Sequence, residues 1–216
     1  VRKKRLLKHI IGLYRPAAGR ILIDGEDLVT ADRAEREKIL RTFGVAFQGG
    51  ALFGSISVLE NVSLHLREFT ALTEAQIQMI ALTKLRLVNL EDAAQKLPAE
   101  LSGGMQKRAA IARALALDPS IVFLDEPSAG LDPITSATLD QLILTINRLL
   151  GTTFVVVTHE LPSIFTIVDR VVVLDAAHKT MVALDKPAVL RDQTSNAWVH
   201  AFFNREPSNN TSNGKG

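Results

Sequence analysis

The chain has 216 residues, 47% of them hydrophobic, enough to bury the core of one large domain or two small ones. Its 25 Lys and Arg nearly balance 23 Asp and Glu, so a pI near 9.0 does not mark a nucleic-acid-binding protein. Cys is absent, which excludes disulfides and thiolate metal sites and points to a reducing cytoplasm, and no apolar run approaches the roughly 18 residues that span a bilayer, so a membrane role calls for a partner subunit.

The sequence opens on Val1 and the basic run Arg2-Lys3-Lys4-Arg5, directly ahead of a helical pattern, and a truncated beginning is the expectation. Leu6, Leu7, Ile10, Ile11 and Leu13 share one helical face, which Gly12, Pro16 and Gly19 close. Residues 20–23 read as a strand with a tight turn at Asp24-Gly25. Val45-Ala46-Phe47 reads as another, with Gln48 just beyond its end. From Leu52 to about Ala110 the spacing of Val58, Val62, Ile77, Ala81, Leu85 and Val88 is helical, which predicts an inserted helical region.

The chemistry concentrates between Leu101 and Pro133. Ser102-Gly103-Gly104 opens a helix, where free N–H groups and the dipole make an anion site that glycine lets phosphate approach. Ile121-Val122-Phe123-Leu124 then ends abruptly in Asp125-Glu126, the pattern of a buried parallel strand whose carboxyl end emerges at a site. Asp132-Pro133 is a cap followed by proline at the first helical position, and Leu139, Leu142, Ile143, Ile146, Leu149 and Leu150 continue one face until Gly151. Residues 154–157 and 171–174 read as two more buried strands, and His159 follows the first of them. Strands alternating with helices predict a layered α/β fold on a parallel sheet, with ligands outside the carboxyl ends of the strands. Trp198, Phe202 and Phe203 form one face of a last helix, and the Asn- and Ser-rich end predicts a disordered tail over 201–216.

Taken together, Gln48 after a strand, Leu101-Ser102-Gly103-Gly104-Met105-Gln106, Ile121 to Glu126, Ser128-Ala129-Gly130-Leu131-Asp132 and Thr158-His159 resemble the ATP-binding-cassette ATPases over about residues 6–185. The resemblance implies a P-loop NTPase-like, mostly parallel sheet lacking its first strands, in a single nucleotide-binding domain over 1–200 with a helical subdomain at about 50–112. It implies ATP and Mg²⁺ as cofactors, with Asp125 and Gln48 as metal ligands and Glu126 as the group that activates water. His159 is then the γ-phosphate sensor, while Ser102, Gly103, Gly104, Gln106, Gln48 and Asp132 face nucleotide, the signature residues reaching the nucleotide of a second ATPase subunit in a head-to-tail dimer.

A complete cassette carries G-x-x-x-x-G-K-[ST] before its first helix. Aligning Leu6 to Ile10 with that helix puts Lys3 at the loop lysine, Arg2 at the second glycine and Lys4-Arg5 at the metal-binding Ser or Thr. If about four charge-assisted bonds of roughly 1.5 kcal/mol are missing, nucleotide affinity falls by about 6 kcal/mol, on the order of 10⁴-fold. Weak ATP binding and poor hydrolysis by the chain as it stands are the expectation.

Residues 47–62, FQGGALFGSISVLENV, are similar to the corresponding stretch of the ATPases that serve MCE-type lipid transporters, with Gly54 where those often have Asp. That similarity implies phospholipid movement between the membranes of a double-membraned bacterium, at the cytoplasmic face of the inner membrane. The implied partners are a transmembrane permease docking on residues 48–101 and an MCE-type substrate-binding protein, with no nucleic acid. The alternatives are the ATPase of a solute importer and a non-catalytic cassette in an asymmetric dimer. A chromosome-condensing or DNA-repair cassette would need a long coiled-coil insertion, which the sequence does not contain.

Overall fold

In the computed structural model, which describes residues 2–175 and 179–207, the opening basic run is already helical. Helix α1 spans Arg2–Ile10, buries Leu7, and is followed by buried Ile11 before Gly12 turns the chain at φ +75°. No acid stands in its first turn, so Lys3, Lys4 and Arg5 add to the positive end of the helix dipole. Strands β1 (Leu22–Ile23) and β2 (Glu26–Asp27) form a tight antiparallel hairpin, with Asp24 at φ +50° and Gly25 at φ +86° as its turn. Helix α2 (Arg33–Arg41) begins at a capping box of Asp32 and Glu35 and leads into β3 (Phe43–Ala46).

The inserted region then forms α3 (Val58–Phe69), α4 (Glu74–Leu87), short 3₁₀ turns at Glu91–Ala93 and Pro98–Glu100, and α5 (Gly103–Ala114). Each of the three α-helices starts at a hydroxyl, Ser57, Thr73 or Ser102, whose oxygen accepts from an otherwise free backbone N–H. Strand β4 (Ile121–Asp125), helix α6 (Pro133–Leu150) and strand β5 (Thr153–Val157) follow, then α7 (Leu161–Ile167), β6 (Val171–Leu174), β7 (Met181–Asp185), α8 (Pro187–Asp192) and α9 (Ala197–Asn204).

Strands β3, β4 and β5 make a parallel sheet in that order, with β4 in the middle. Its register pairs Ala46 with Leu124 and Leu124 with Val156, so Gln48, Glu126 and Thr158 leave the sheet at the same level. One hydrophobic cluster beside the sheet joins Leu7, Ile11, Ile23, Leu28, Ile39, Phe43 and Phe123, with the Phe43 and Phe123 rings edge to face at 5.3 Å. Burying Leu7 and Ile11 there contributes about 2 kcal/mol each and ties α1 to the sheet.

The chain divides into two compact units, Lys3–His159 and a second beginning at Glu160. The second has its own small core of Ile164, Val173, Leu190, Val199 and Phe203.

The parallel sheet and the helical insertion match the reading from sequence, with corrections. Helices α2, α7 and α8 and strand β7 are additions that the sequence pattern does not announce. Strands β5 and β6 are not buried runs: Val155 is 38% exposed and Val172 53%. Strand β6 pairs antiparallel with β7 rather than extending the parallel sheet. Helix α9 runs through Asn204, past the expected start of the tail at residue 201, and residues 208–216 lie outside the described ones. Phe203 is buried as its spacing predicts, while Trp198 is 48% exposed and stacks on Phe202.

Candidate nucleotide site

The site follows from the register. Asp125 closes β4 and Glu126 takes the next position at φ +50°, a left-handed conformation that costs a non-glycine residue on the order of 1 kcal/mol. The Glu126 N–H still continues the ladder, donating to Val157 O at 2.7 Å. This fixes a buried carboxylate at the carboxyl edge, beside the end of β5. There His159 Nδ1 lies 2.9 and 3.0 Å from the two Glu126 carboxylate oxygens, while most of the His159 side chain faces solvent. Glu126 and His159 are therefore brought together.

Gln48 reaches the same edge from β3. Its side-chain Oε1 accepts from Lys4 Nζ and its backbone carbonyl accepts from Lys107 Nζ of α5. Lys4 Nζ also lies 3.8 Å from Asp125 Oδ2. Lys3 Nζ donates to Thr158 O at 2.8 Å. Three ammonium groups thus surround two adjacent carboxylates. Burial pushes the Asp125 carboxyl above its ordinary range, opposed by the positive charge of Lys4. Burial likewise lowers Lys3, opposed by Glu126, and lowers Lys107, opposed by Asp125.

The signature residues lie at the start of α5. Ser102 and Gly103 are exposed, and Ser102 Oγ accepts from Met105 N at 3.3 Å. Gly104 packs so closely on α6 that an added Cβ would meet Thr135 Cγ2 at 2.7 Å, bringing the two helix starts together. Gln106 turns away to its own loop, donating to Pro98 O at 3.1 Å and Leu101 O at 3.3 Å. Asp132 caps α6, accepting from Ile134 N and Thr135 N at 3.0 Å and from Thr135 Oγ1 at 2.5 Å.

Sequence reasoning placed Lys4 at the metal-binding Ser or Thr of the missing loop without giving it a contact, and it missed Lys107 and Arg113. Buried Arg113 donates to Ala51 O at 2.7 Å and Gly50 O at 2.8 Å, holding the loop that follows Gln48. That loop and α5 border a groove of about 420 Å³ lined by Phe43, Phe47, Phe53, Phe69 and Arg113. None of these lysine or arginine contacts has a spacing signal, since each joins residues far apart in the chain.

A model of the family described as ABC transporter matches residues 3–129. The chain belongs to the ABC transporter family. Among relatives of this ABC chain, the probable ribonucleotide transport ATP-binding protein mkl of Mycobacterium leprae is 46% identical over 179 residues, 83% of this chain and 52% of that protein. The intermembrane phospholipid transport system ATP-binding protein MlaF of Escherichia coli K12 is 42% identical over 181 residues, 84% of this chain and 66% of that protein. The chain spans about half the length of the mkl relatives it matches. A solved dimeric structure of the ATP-binding cassette MJ0796 in a post-hydrolysis state, bound to ADP and Pi, superposes with a TM-score of 0.75 at 34% identity, covering 85% of this chain and 80% of that one. The cbiO1 structure from Clostridium perfringens gives 0.77 at 29% identity, covering 86% and 72%.

The residues implied for the metal do not fit one as arranged. A Mg²⁺ ion takes about six oxygens in a near-octahedral shell at roughly 2.0–2.1 Å. Asp125 Oδ1 is buried without a hydrogen-bond partner, an acceptor that a cation would satisfy. The Lys4 ammonium, however, already holds Gln48 Oε1 and faces the other Asp125 oxygen. Among the described residues no three His, Cys, Asp or Glu converge on one point.

Proposed function

We propose that this chain is the ATPase subunit of an ABC transporter that moves phospholipid or a related lipid between membranes. One observation carries the chemistry: the buried Glu126 carboxylate at the end of the central strand, with His159 Nδ1 against both its oxygens. Members of the family act on ATP with Mg²⁺. In this reading Glu126 accepts the proton of the attacking water. His159 holds that carboxylate in one orientation and turns to the terminal phosphate when nucleotide enters. The exposed start of α5, with Ser102 and Gly103, serves the nucleotide of a second copy. Asp132 keeps α6 in step with it through the Gly104–Thr135 contact.

Lipid as the cargo is supported by the 42% identity to MlaF and by the stretch Phe47 to Val62. Among the described residues no helix is long and apolar enough to cross a membrane. The chain then acts peripherally, at the cytoplasmic face of the inner membrane. A permease helix in the phenylalanine-lined groove would pull on Arg113 and, through Gly50 and Ala51, on Gln48. An MCE-type protein would carry the lipid onward. Ribonucleotide transport is a second reading, favoured by the 46% identity to mkl.

The chain, co-expressed with its permease and purified in detergent, separates the readings. Phospholipid identified by mass spectrometry in the complex, with turnover stimulated by added phospholipid, supports the first. Stimulation by ribonucleotides other than ATP, without bound lipid, supports the second. Under either, Glu126→Gln lowers the complex's ATP turnover by roughly 10²- to 10⁴-fold, and unchanged turnover overturns the catalytic assignment.

A further inference from the structure

We infer that the Lys4 ammonium is the resident cation of the Gln48–Asp125 pair, occupying the place that a divalent metal would need. The two residues come from the carboxyl ends of neighbouring strands, β3 and β4, and their side chains share Lys4 Nζ, which reaches Gln48 Oε1 and lies 3.8 Å from Asp125 Oδ2 from the first turn of α1. Leu7 of the helix and Ile11 just after it are buried in the core below, so the ammonium is delivered by a packed element.

The chemistry agrees with the geometry. An ammonium donates hydrogen bonds, and the Gln48 side-chain oxygen and an Asp125 carboxylate oxygen both accept them. Lys107 adds a second positive group on the Gln48 carbonyl, and Lys3 a third beside Glu126. A divalent cation placed among these groups would face three like charges and lose Gln48 Oε1 to Lys4. A serine or threonine at position 4 would offer a neutral oxygen in place of the ammonium. The structure assigns this chain an all-protein cation where metal coordination would otherwise supply the positive charge. These contacts hold whatever the cargo and whatever the rate of ATP turnover.

Mn²⁺ alone, titrated into the full 216-residue chain and followed by the electron paramagnetic resonance of the free ion, tests it. We expect Lys4→Ser to bind one Mn²⁺ roughly tenfold or more tighter than the unaltered chain, with the gain lost in the Lys4→Ser, Asp125→Asn double variant. Lys4→Met, which removes the charge without adding an oxygen, should melt lower than the unaltered chain and regain the difference when Mn²⁺ is added. The melting temperature of the unaltered chain should not respond to Mn²⁺. Equal Mn²⁺ affinity in the unaltered chain and Lys4→Ser overturns the assignment, as does a gain that survives Asp125→Asn. If the position 4 variants do not fold, the unaltered chain and Asp125→Asn decide: an Asp125-dependent Mn²⁺ site in the unaltered chain refutes the proposal, and its absence supports it.

Discussion

Asn61 shows how one buried side chain sets the path of the loop that follows Gln48. It is fully buried on α3, and its side chain serves four backbone groups: the Phe53 N–H at 2.7 Å, Phe53 O at 3.1 Å, Ile56 O at 3.3 Å and Ser57 O at 3.0 Å. The amide oxygen and both amide hydrogens are thereby used, which no apolar residue of similar volume can copy. Replacing it by leucine strands the Phe53 N–H in particular, because no backbone carbonyl is paired with that donor. We expect Asn61→Leu to destabilise the chain by about 2–3 kcal/mol in urea unfolding, the cost of burying such groups unsatisfied. On the proposed docking of a permease in the groove, the same change should also weaken that coupling, since Phe53 lines it. Gly44 is equally constrained, because a Cβ there would collide with the Ala114 carbonyl, where β3 meets the end of α5. Gly44→Ala should cost about 3 kcal/mol, the upper range of overpacking, measured by the same urea midpoint.

At the scale of elements, α6 begins and ends where its sequence reads and buries Leu139, Ile143 and Ile146, while Leu149 and Leu150 of the expected face are exposed. Asp132 accepts from the Thr135 hydroxyl and from the Thr135 and Ile134 N–H groups, and these bonds hold its carboxyl below the usual carboxylate range, the Thr135 side chain contributing most. A carboxylate whose folded pKa is lowered contributes stability that is complete above its unfolded pKa of about 4 and is lost as pH falls through the folded value. Asparagine caps without titrating. The stability difference between the unaltered chain and Asp132→Asn should therefore drift in favour of the variant as pH drops from about 5 toward 2, read from urea midpoints across that range. Cap, proline, periodic face and Gly151 at φ +67° all announce this helix locally. Helix α2 has an equally good capping box, but it buries only Ile39 and is otherwise charged apart from Ala34 and Leu40, so its apolar periodicity is too thin to see. Strand β6 misleads for the opposite reason. A run of valines reads alike in a buried parallel sheet and in a half-exposed hairpin, and the partner that decides, β7, comes from a weaker pattern after it. Gln48, Asp125, Glu126 and His159 are legible because parallel strands end at one edge. Lys4 is legible only as an alignment position, and its contacts with Gln48 and Asp125 come from the packing of α1 against that edge.

For the whole molecule, the exposed surface around the starts of α5 and α6 is the feature that a single chain leaves unexplained. Ser102, Gly103, Gly130 and Asp132 are all exposed, and Ile134 is 80% exposed at the first turn of α6, next to them through the Gly103–Leu131 and Gly104–Thr135 contacts. A small-residue patch with one apolar side chain suits a surface that closes on a second copy only when a phosphate lies between them, because glycine backbone offers donors and little apolar area of its own. Closure should then depend on nucleotide retention. On the proposed function, Glu126→Gln should sediment as a dimer in analytical ultracentrifugation at ATP concentrations high enough to offset the weak binding expected of this chain, since slower hydrolysis would hold the phosphate in place. Adding Ile134→Glu should return that variant to monomer by placing a charge in the closing face. Because Ile134 is solvent-exposed in the single chain, the added change should move the stability measured in urea by no more than about 0.5 kcal/mol. A dimer that persists in the double variant would place the contact elsewhere on the surface, and a fall in stability comparable to Asn61→Leu would mean that Ile134 serves the fold rather than the interface.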